Sequence, residues 1–224
     1  MTIAEFQDQL TKCVQEAGAE VLPCVLSQAR GEVRAVLPHK LLMRGEDSIQ
    51  GGVGARLVEN VAQIRPYLFR LACSNGSLYS LGFASSDINV LSPNFDRELR
   101  EAVTACLDPD LHEDLAGQMD AAHEYELDIT TTAMTLASHI SRLPAHMSGT
   151  MALVIEKLLA QRQRNLFALI QSVTAVARDS DEDFDRWELE SLGGLLVHEG
   201  KNAIITPEVP ELARRSEVSS ILGV

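Results

Sequence analysis

Two arginines flank two aromatic residues in one apolar segment, Arg65-Pro-Tyr67-Leu-Phe69-Arg70. Rings beside guanidinium groups can stack on unpaired bases and hold the backbone of a single strand. Tyr79, on the next apolar segment, would enlarge such a platform. We therefore take Arg65, Tyr67, Phe69, Arg70 and Tyr79 as a candidate nucleic-acid-binding site. Aromatic residues in a continuous apolar strand are more commonly core, so the exposure of the rings decides between the two interpretations.

Two short clusters combine histidine with carboxylates: His112-Glu113-Asp114 and the segment from His123 to Asp128. A zinc site needs three or four ligands that converge in space, and the helical zinc motif places His at i and i+4. Neither cluster has that spacing, so we predict no metal. Residues 108–128 hold eight acidic side chains and no Lys or Arg, which is typical of a solvated face.

The remaining motifs predict no catalytic or cofactor site. The glycines from Gly51 to Gly54 precede an extended pattern rather than a helix, and no Lys-(Ser/Thr) follows them, which disfavours a phosphate loop. Cys73 lies in an apolar strand, where a thiolate is disfavoured. A pairing of Cys73 with His139 or His146 stays open. We interpret the chain as a binding protein without a cofactor rather than as an enzyme.

Charge is distributed unevenly along the 224 residues. Residues 1–86 hold 8 acidic and 8 basic side chains, whereas residues 87–224 hold 24 and 11 and so carry the whole net charge of −13. Because a duplex is bound through Lys and Arg on its phosphates, this balance disfavours a broad grip on double-stranded nucleic acid. A dense carboxylate surface could instead dock a basic protein, with a solubilising surface as the plainer alternative.

Apolar periodicity predicts an α+β fold, with an N-terminal helix and antiparallel sheet followed by a helical bundle or layer. Spacings of three and four from Ile3 to Ala17 predict the first helix, which ends at Gly18. Strands are predicted at 21–28, 32–37, 56–61, 64–73 and 78–84, with Pro38 closing the second and a turn-rich stretch over 46–54. We expect one domain, with a sheet region at 1–86 and an acidic helical region at 87–198, and then a tail at 199–224.

The second half of the chain has helical spacing throughout. Ser92 and Pro93 are predicted to open its first helix, and Asp108-Pro109 to end it. A second helix is predicted to begin at Asp110. Further helices are predicted at about 124–141, 149–163, 165–178 and 183–198. The 165–178 segment carries too many apolar residues for one narrow stripe, so we expect it to be central. Gly193-Gly194 is costly within a helix, which close helix packing would offset.

Several of these segments together resemble a known family. They are Val33-Arg-Ala35, the stretch from Ser48 to Gly54, the apolar strand ending in Cys73-Ser-Asn-Gly76, and the run from Asn165 to Ala177. In this order they are similar to the phage and plasmid family called domain of unknown function 932, over roughly residues 30–197. The chain is shorter than that pattern between Leu37 and Ser48. The resemblance implies an architecture and a mobile-element context, and it supplies no catalytic residues.

These observations lead to two expectations of function. The first is a binding protein that handles single-stranded nucleic acid in mobile-element DNA metabolism. The second is an acidic interaction module that docks or inhibits a basic host partner, such as a nucleic-acid enzyme. No stretch has the length of a membrane span or the pattern of a signal peptide, so we expect a cytoplasmic protein with no membrane partner. A homo-oligomer stays among the alternatives.

Overall fold

The computed structural model describes residues 1–22, 31–42, 48–70, 75–79, 84–180 and 183–206. One helix precedes an antiparallel sheet, and helices follow it, which confirms the predicted α+β class. The helices are α1 (Ile3–Glu16), α2 (Phe95–Cys106), α3 (Pro109–Ala121), α4 (Ile129–Ile140), α5 (Thr150–Leu159), α6 (Leu166–Asp179) and α7 (Asp183–Glu199). The strands are β1 (Glu20–Val21), β2 (Val33–Leu42), β3 (Ser48–Val58), β4 (Val61–Arg70), β5 (Asn75–Leu78) and β6 (Ser86–Asn89).

The sheet follows chain order from β1 to β5, and β6 pairs with the first part of β4. The long hairpin of β3 and β4 is its centre, with Val58 opposite Val61 and Gly52 opposite Tyr67. Glu59 and Asn60 make the connecting turn, and Glu59 adopts a φ of 55°. The predicted strand at 56–61 is therefore wrong, because it runs through this two-residue turn.

The boundaries predicted around Pro38 and the glycine stretch are also wrong. β2 continues past Pro38 to Leu42, and its register with β3 shifts between Val36 and Lys40. Proline has no N–H for a regular ladder, and an irregular register accommodates it. The turn-rich interpretation of 46–54 fails from Ser48 onward, where β3 begins. Most of the strands predicted at 21–28 and 78–84 lies outside the described residues.

Helix starts in the second half differ from the predictions by a few residues. Asn94 precedes α2, so this helix begins after Ser92 and Pro93. Asp108 caps α3 by accepting from the N–H of Asp110, and Pro109 takes the first helical position. α4 begins at Ile129, because residues 122–124 form a separate 3-10 turn. Side-chain caps set the first residues of α3 and α4, whereas Asn94 makes no side-chain cap hydrogen bond at the start of α2.

Hydrophobic packing joins the sheet to both sets of helices. One cluster holds α1 and α2 against strand residues that include Val33, Val53 and Ile64. A larger cluster joins α3 to α7 with Ile49 and Leu68 of the sheet. Each cluster therefore combines residues of the predicted sheet region with residues of the predicted helical region. No helix within the described residues has the length and apolar character needed to cross a membrane.

α6 lies at the centre of the larger cluster, as the sequence predicted. Its buried residues run without interruption from Leu166 to Thr174. The side chain of Asn165 accepts from the N–H of Ala168 at 2.9 Å and donates to the carbonyl of His123 at 3.0 Å. The helix therefore starts at a buried cap that also ties it to the segment before α4.

The glycine pair of α7 allows close packing, as expected. A Cβ at Gly194 would overlap the carbonyl oxygen of Leu78 in β5, and a Cβ at Gly193 would lie 2.7 Å from the Thr174 methyl group of α6. α7 thus contacts the sheet backbone directly.

The predicted tail begins as packed structure. Residues 200–203 form a 3-10 turn in which Ala203 is buried, and the N–H of Ile205 donates to the Thr135 hydroxyl at 3.0 Å. The rest of that segment, 207–224, lies outside the described residues.

Replacement of Ile170 by alanine should destabilise the protein by about 2 to 5 kcal/mol, because it leaves a cavity in the centre of α6. Ile129→Ala, at a position that is 65% exposed, should change the free energy of unfolding by less than about 1 kcal/mol. Urea unfolding followed by circular dichroism measures both. Equal effects of the two substitutions would contradict the central placement.

Gly194→Ala should destabilise the fold by more than about 1 kcal/mol, since the new Cβ must push α7 away from Leu78. Gly117→Ala is the matched control: it is an exposed glycine within α3, and a Cβ there meets nothing within 4 Å. This control should stabilise by about 0.5 to 1 kcal/mol through helix propensity. Thermal unfolding of the two variants should therefore shift in opposite directions.

Candidate functional site

The rings of the predicted nucleic-acid platform are buried. Tyr67, Phe69 and Tyr79 are 0%, 8% and 0% exposed. The first two pack with Trp187 of α7, whereas Tyr79 belongs to the helical core, and its burial raises the pKa of the phenol. Base stacking requires an accessible ring face. These three residues do not offer one in this structure.

The two arginines of the platform tie β4 to its neighbours. Arg65 forms an ion pair with Asp87 and donates to the carbonyl of Ser86 at 3.0 Å, which joins β4 to β6. Arg70 donates to the side chain of Gln171 in α6. All five predicted site residues therefore contribute to packing or to internal polar contacts, and nucleic-acid binding by them stays a prediction.

The acidic residues of 108–128 form an exposed surface on consecutive elements. Seven carboxylates are exposed along α3, the following 3-10 turn and the start of α4. We call this group the acidic surface; its members are Asp108, Asp110, Glu113, Asp114, Glu124, Glu126 and Asp128. Two of them serve as helix caps, Asp108 for α3 and Asp128 for α4. Hydrogen bonds to Thr131 keep the pKa of Asp128 below its usual range.

Most of the acidic surface has no internal counterion. Apart from Glu124, its members form no ion pair with any basic side chain in the part of the chain that the structure describes. Arg164 is near in the backbone, since its carbonyl accepts from the N–H of Leu127, yet it makes no such pair. The negative charge here is thus left for solvent or a partner.

The second acidic stretch, 179–190, is different because its described carboxylates have basic partners within the chain. Asp179 pairs with Lys157 at 2.8 Å and with Arg178, while Asp185 lies 2.8 Å from Nε2 of His146. Glu188 and Glu190 pair with arginines of the sheet, as described next. Both stretches are rich in carboxylates, and the ion pairs distinguish one from the other.

A charge-balanced network lies between α7 and the sheet. Glu190 accepts from Nη2 of Arg34 at 2.7 Å and from Nε of Arg186 at 3.2 Å. Glu32 lies 3.4 Å from the same Arg34 group. Burial alone would lower the pKa of Arg34, but the charges of Glu190 and Glu32 outweigh it and raise the pKa. Arg34 therefore stays charged although no part of it reaches solvent.

Trp187 lies between two guanidinium groups of this network. Its ring is 4.6 Å from the guanidinium carbon of Arg34 and 4.5 Å from that of Arg56. Arg56 also donates to Glu188 at 3.1 Å, and burial lowers its pKa. Stacking and ion pairing together fix the orientation of α7. With three arginines matched by three glutamates, we interpret this network as structural.

The histidine of the first metal-like cluster has a packing role. His112 is buried against β3, where a Cβ at Gly51 would overlap its ring, and its Nε2 lies 3.3 Å from the carbonyl oxygen of Gly52. Burial lowers the pKa of His112, so the ring is neutral. The glycine-rich stretch thus makes room for α3 within a continuous strand, and no helix follows it as a phosphate loop requires.

Chemical groups for metal binding or thiol catalysis are not assembled in the described residues. No three His, Cys, Asp or Glu side chains there are placed to hold a metal ion. Cys106 is buried and donates to the carbonyl of Ala84, and burial raises its pKa to about 12. Cys73, the cysteine of the open pairing with His139 or His146, lies outside the described residues.

Comparisons with known protein families, with curated proteins and with solved structures found no match to this chain. The resemblance to domain of unknown function 932 therefore stays a prediction, and the site must be argued from geometry.

Glu190→Gln should destabilise the protein by about 3 to 5 kcal/mol, because it leaves the Arg34 charge buried without its main partner. Arg34→Met combined with Glu190→Leu removes both charges and should recover part of this loss. Glu101→Gln, in the exposed pair with Arg97, is the control and should cost less than about 0.5 kcal/mol. Urea unfolding ranks the three, and a double variant less stable than Glu190→Gln would contradict this account.

Proposed function

We propose that the protein is an interaction module whose acidic surface docks a basic protein partner. The observation that carries this proposal is the contrast between the two acidic stretches: the described carboxylates of 179–190 have basic partners within the chain, whereas 108–128 keeps its carboxylates exposed. Because Glu188 and Glu190 of α7 are paired with arginines of the sheet, the acidic surface, apart from Glu124, is the largest cluster of unpaired carboxylates among the described residues.

The acidic surface also has an apolar neighbour. Ile129 follows the cap residue Asp128 and is 65% exposed. A binding surface commonly combines an apolar contact with a charged rim, in which charge sets the encounter rate and the choice of partner. The complementary partner is a protein with clustered Lys and Arg side chains around a small apolar patch.

The partner class follows from charge. Proteins that handle nucleic acid carry basic surfaces for phosphate, and an array of carboxylates is complementary to the same surfaces. In the mobile-element context that the family resemblance implies, such a module would dock or inhibit a nucleic-acid enzyme of the host. Nucleic acid itself would be repelled by the acidic surface.

Single-stranded nucleic acid is the rival ligand. It would have to contact the neutral sheet region, where Tyr67, Phe69 and Tyr79 are buried. Binding through stacking would then require the sheet face to open, at the expense of its packing on Trp187. The structure therefore favours the protein partner, and one set of variants separates the two ligands.

The triple variant Glu113→Gln, Asp114→Asn, Glu126→Gln should weaken partner binding about tenfold. Each substitution removes an exposed charge without removing a helix cap. Affinity capture from nuclease-treated lysate of the native host supplies the partner, and calorimetry with that purified partner measures the dissociation constant. The affinity should also fall steeply as salt rises from about 50 to 300 mM.

The matched control has the same change in charge at exposed carboxylates elsewhere: Asp8→Asn, Glu20→Gln and Glu101→Gln. Its affinity should stay within about twofold of the wild type. Equal weakening by both triple variants would reduce the effect to net charge and reject a defined surface. Fluorescence anisotropy with a single-stranded oligonucleotide tests the rival; saturable binding that survives the first triple variant, with no protein partner captured, would favour it.

A further inference from the structure

A small cleft separates the C-terminal end of α4 from α7. Its volume is about 190 Å³, and its apolar wall includes Leu143, which follows α4, and Leu192 and Leu195 of α7. Five polar side chains also line it: His139, Arg142, Glu188, Ser191 and His198. Their convergence in one cavity was not signalled by the sequence, because 49 residues separate Arg142 from Ser191.

His139 is the buried member of this group, at 2% exposure. Its Nε2 lies 2.9 Å from the carbonyl oxygen of Ala203, and since a carbonyl only accepts, Nε2 carries the proton. In the tautomer with its single proton on Nε2, Nδ1 is an acceptor; this buried atom has no hydrogen-bond partner within the described part of the chain. A buried acceptor without a donor costs free energy, so a ligand that donates here would be favoured.

The cleft also carries an uncompensated cation. The side chains of Arg142, Ser191 and His198 form no hydrogen bond or ion pair with any described residue. Glu188, the acidic residue on the wall, is paired with Arg56 at 3.1 Å. Although the chain has a net charge of −13, this cleft presents hydrogen-bond donors and a positive charge to a ligand.

We propose that this cleft binds a small phosphomonoester. The phosphoryl oxygens would accept from Arg142, Ser191 and His198, and a protonated oxygen would donate to Nδ1 of His139. The second ionisation of a phosphomonoester lies near pH 6, so about a quarter of the ester still carries that proton at pH 6.5. A sulfate ester or a carboxylate is anionic but has no such donor, and the leucines accept only a small apolar substituent.

The test uses phenyl phosphate as the ligand and phenyl sulfate as its matched analogue without a donor. Titration of the full chain at pH 6.5, followed by NMR of the ring protons of His139 and His198, should show saturable shifts with phenyl phosphate. The dissociation constant should be about 1 mM or tighter, and phenyl sulfate should bind at least about tenfold more weakly.

Arg142→Gln should weaken phenyl phosphate binding at least about tenfold, since it removes the charge that selects the anion. Arg142 is exposed, so the variant keeps its fold, and His198→Asn provides a second change at the rim. Arg97→Gln, an exposed arginine on α2, is the control and should leave binding unchanged. Absence of saturable shifts, equal binding of the two esters, or equal weakening by Arg142→Gln and Arg97→Gln would each overturn the proposal.

Discussion

The buried ion pair between Arg34 and Glu190 is the constraint on which the arrangement of this protein depends. It joins the second strand to the last long helix across 156 residues of sequence. Removal of either ion from water costs several kcal/mol, and only good geometry with further hydrogen bonds offsets that cost. Arg186 and Glu32 provide those contacts. α7 is therefore held in one orientation, with Trp187 stacked between guanidinium groups and Gly194 against the sheet backbone.

Internal pairing also shapes the surface. A carboxylate of α7 that is paired in the interior adds nothing to the surface charge available to a binding partner. The acidic residues around α3 have no such interior cations, because α3 packs on the sheet through glycine contacts and apolar side chains. One interaction network thus accounts both for the position of the last helix and for the location of the exposed charge. The cleft beside α4 borders the same network, since Glu188 on its wall is paired with Arg56.

Local patterns in the sequence were sufficient for the fold class, the order of helices and the burial of α6. Helical spacing of apolar residues reports which face is buried without reference to any partner, and the apolar residues of α6 surround the helix. The free-energy cost of Gly193-Gly194 in a helix could likewise be predicted from the sequence, because it is a property of the backbone of one segment. Charge imbalance between the two halves of the chain also needed no structure.

The features that the sequence predicted wrongly, or did not predict, all depend on contacts between residues far apart in the chain. Tyr67 and Phe69 have the composition of a binding platform, and only the packing of Trp187 on them makes them core. β2 continues past Pro38 because its register with β3 shifts at that point. Gly51 is a glycine within a strand because the ring of His112 occupies the space that a side chain would need. Exposure, ion pairing and cavity lining are properties of pairs of surfaces brought together by folding, whereas periodicity is a property of a single segment.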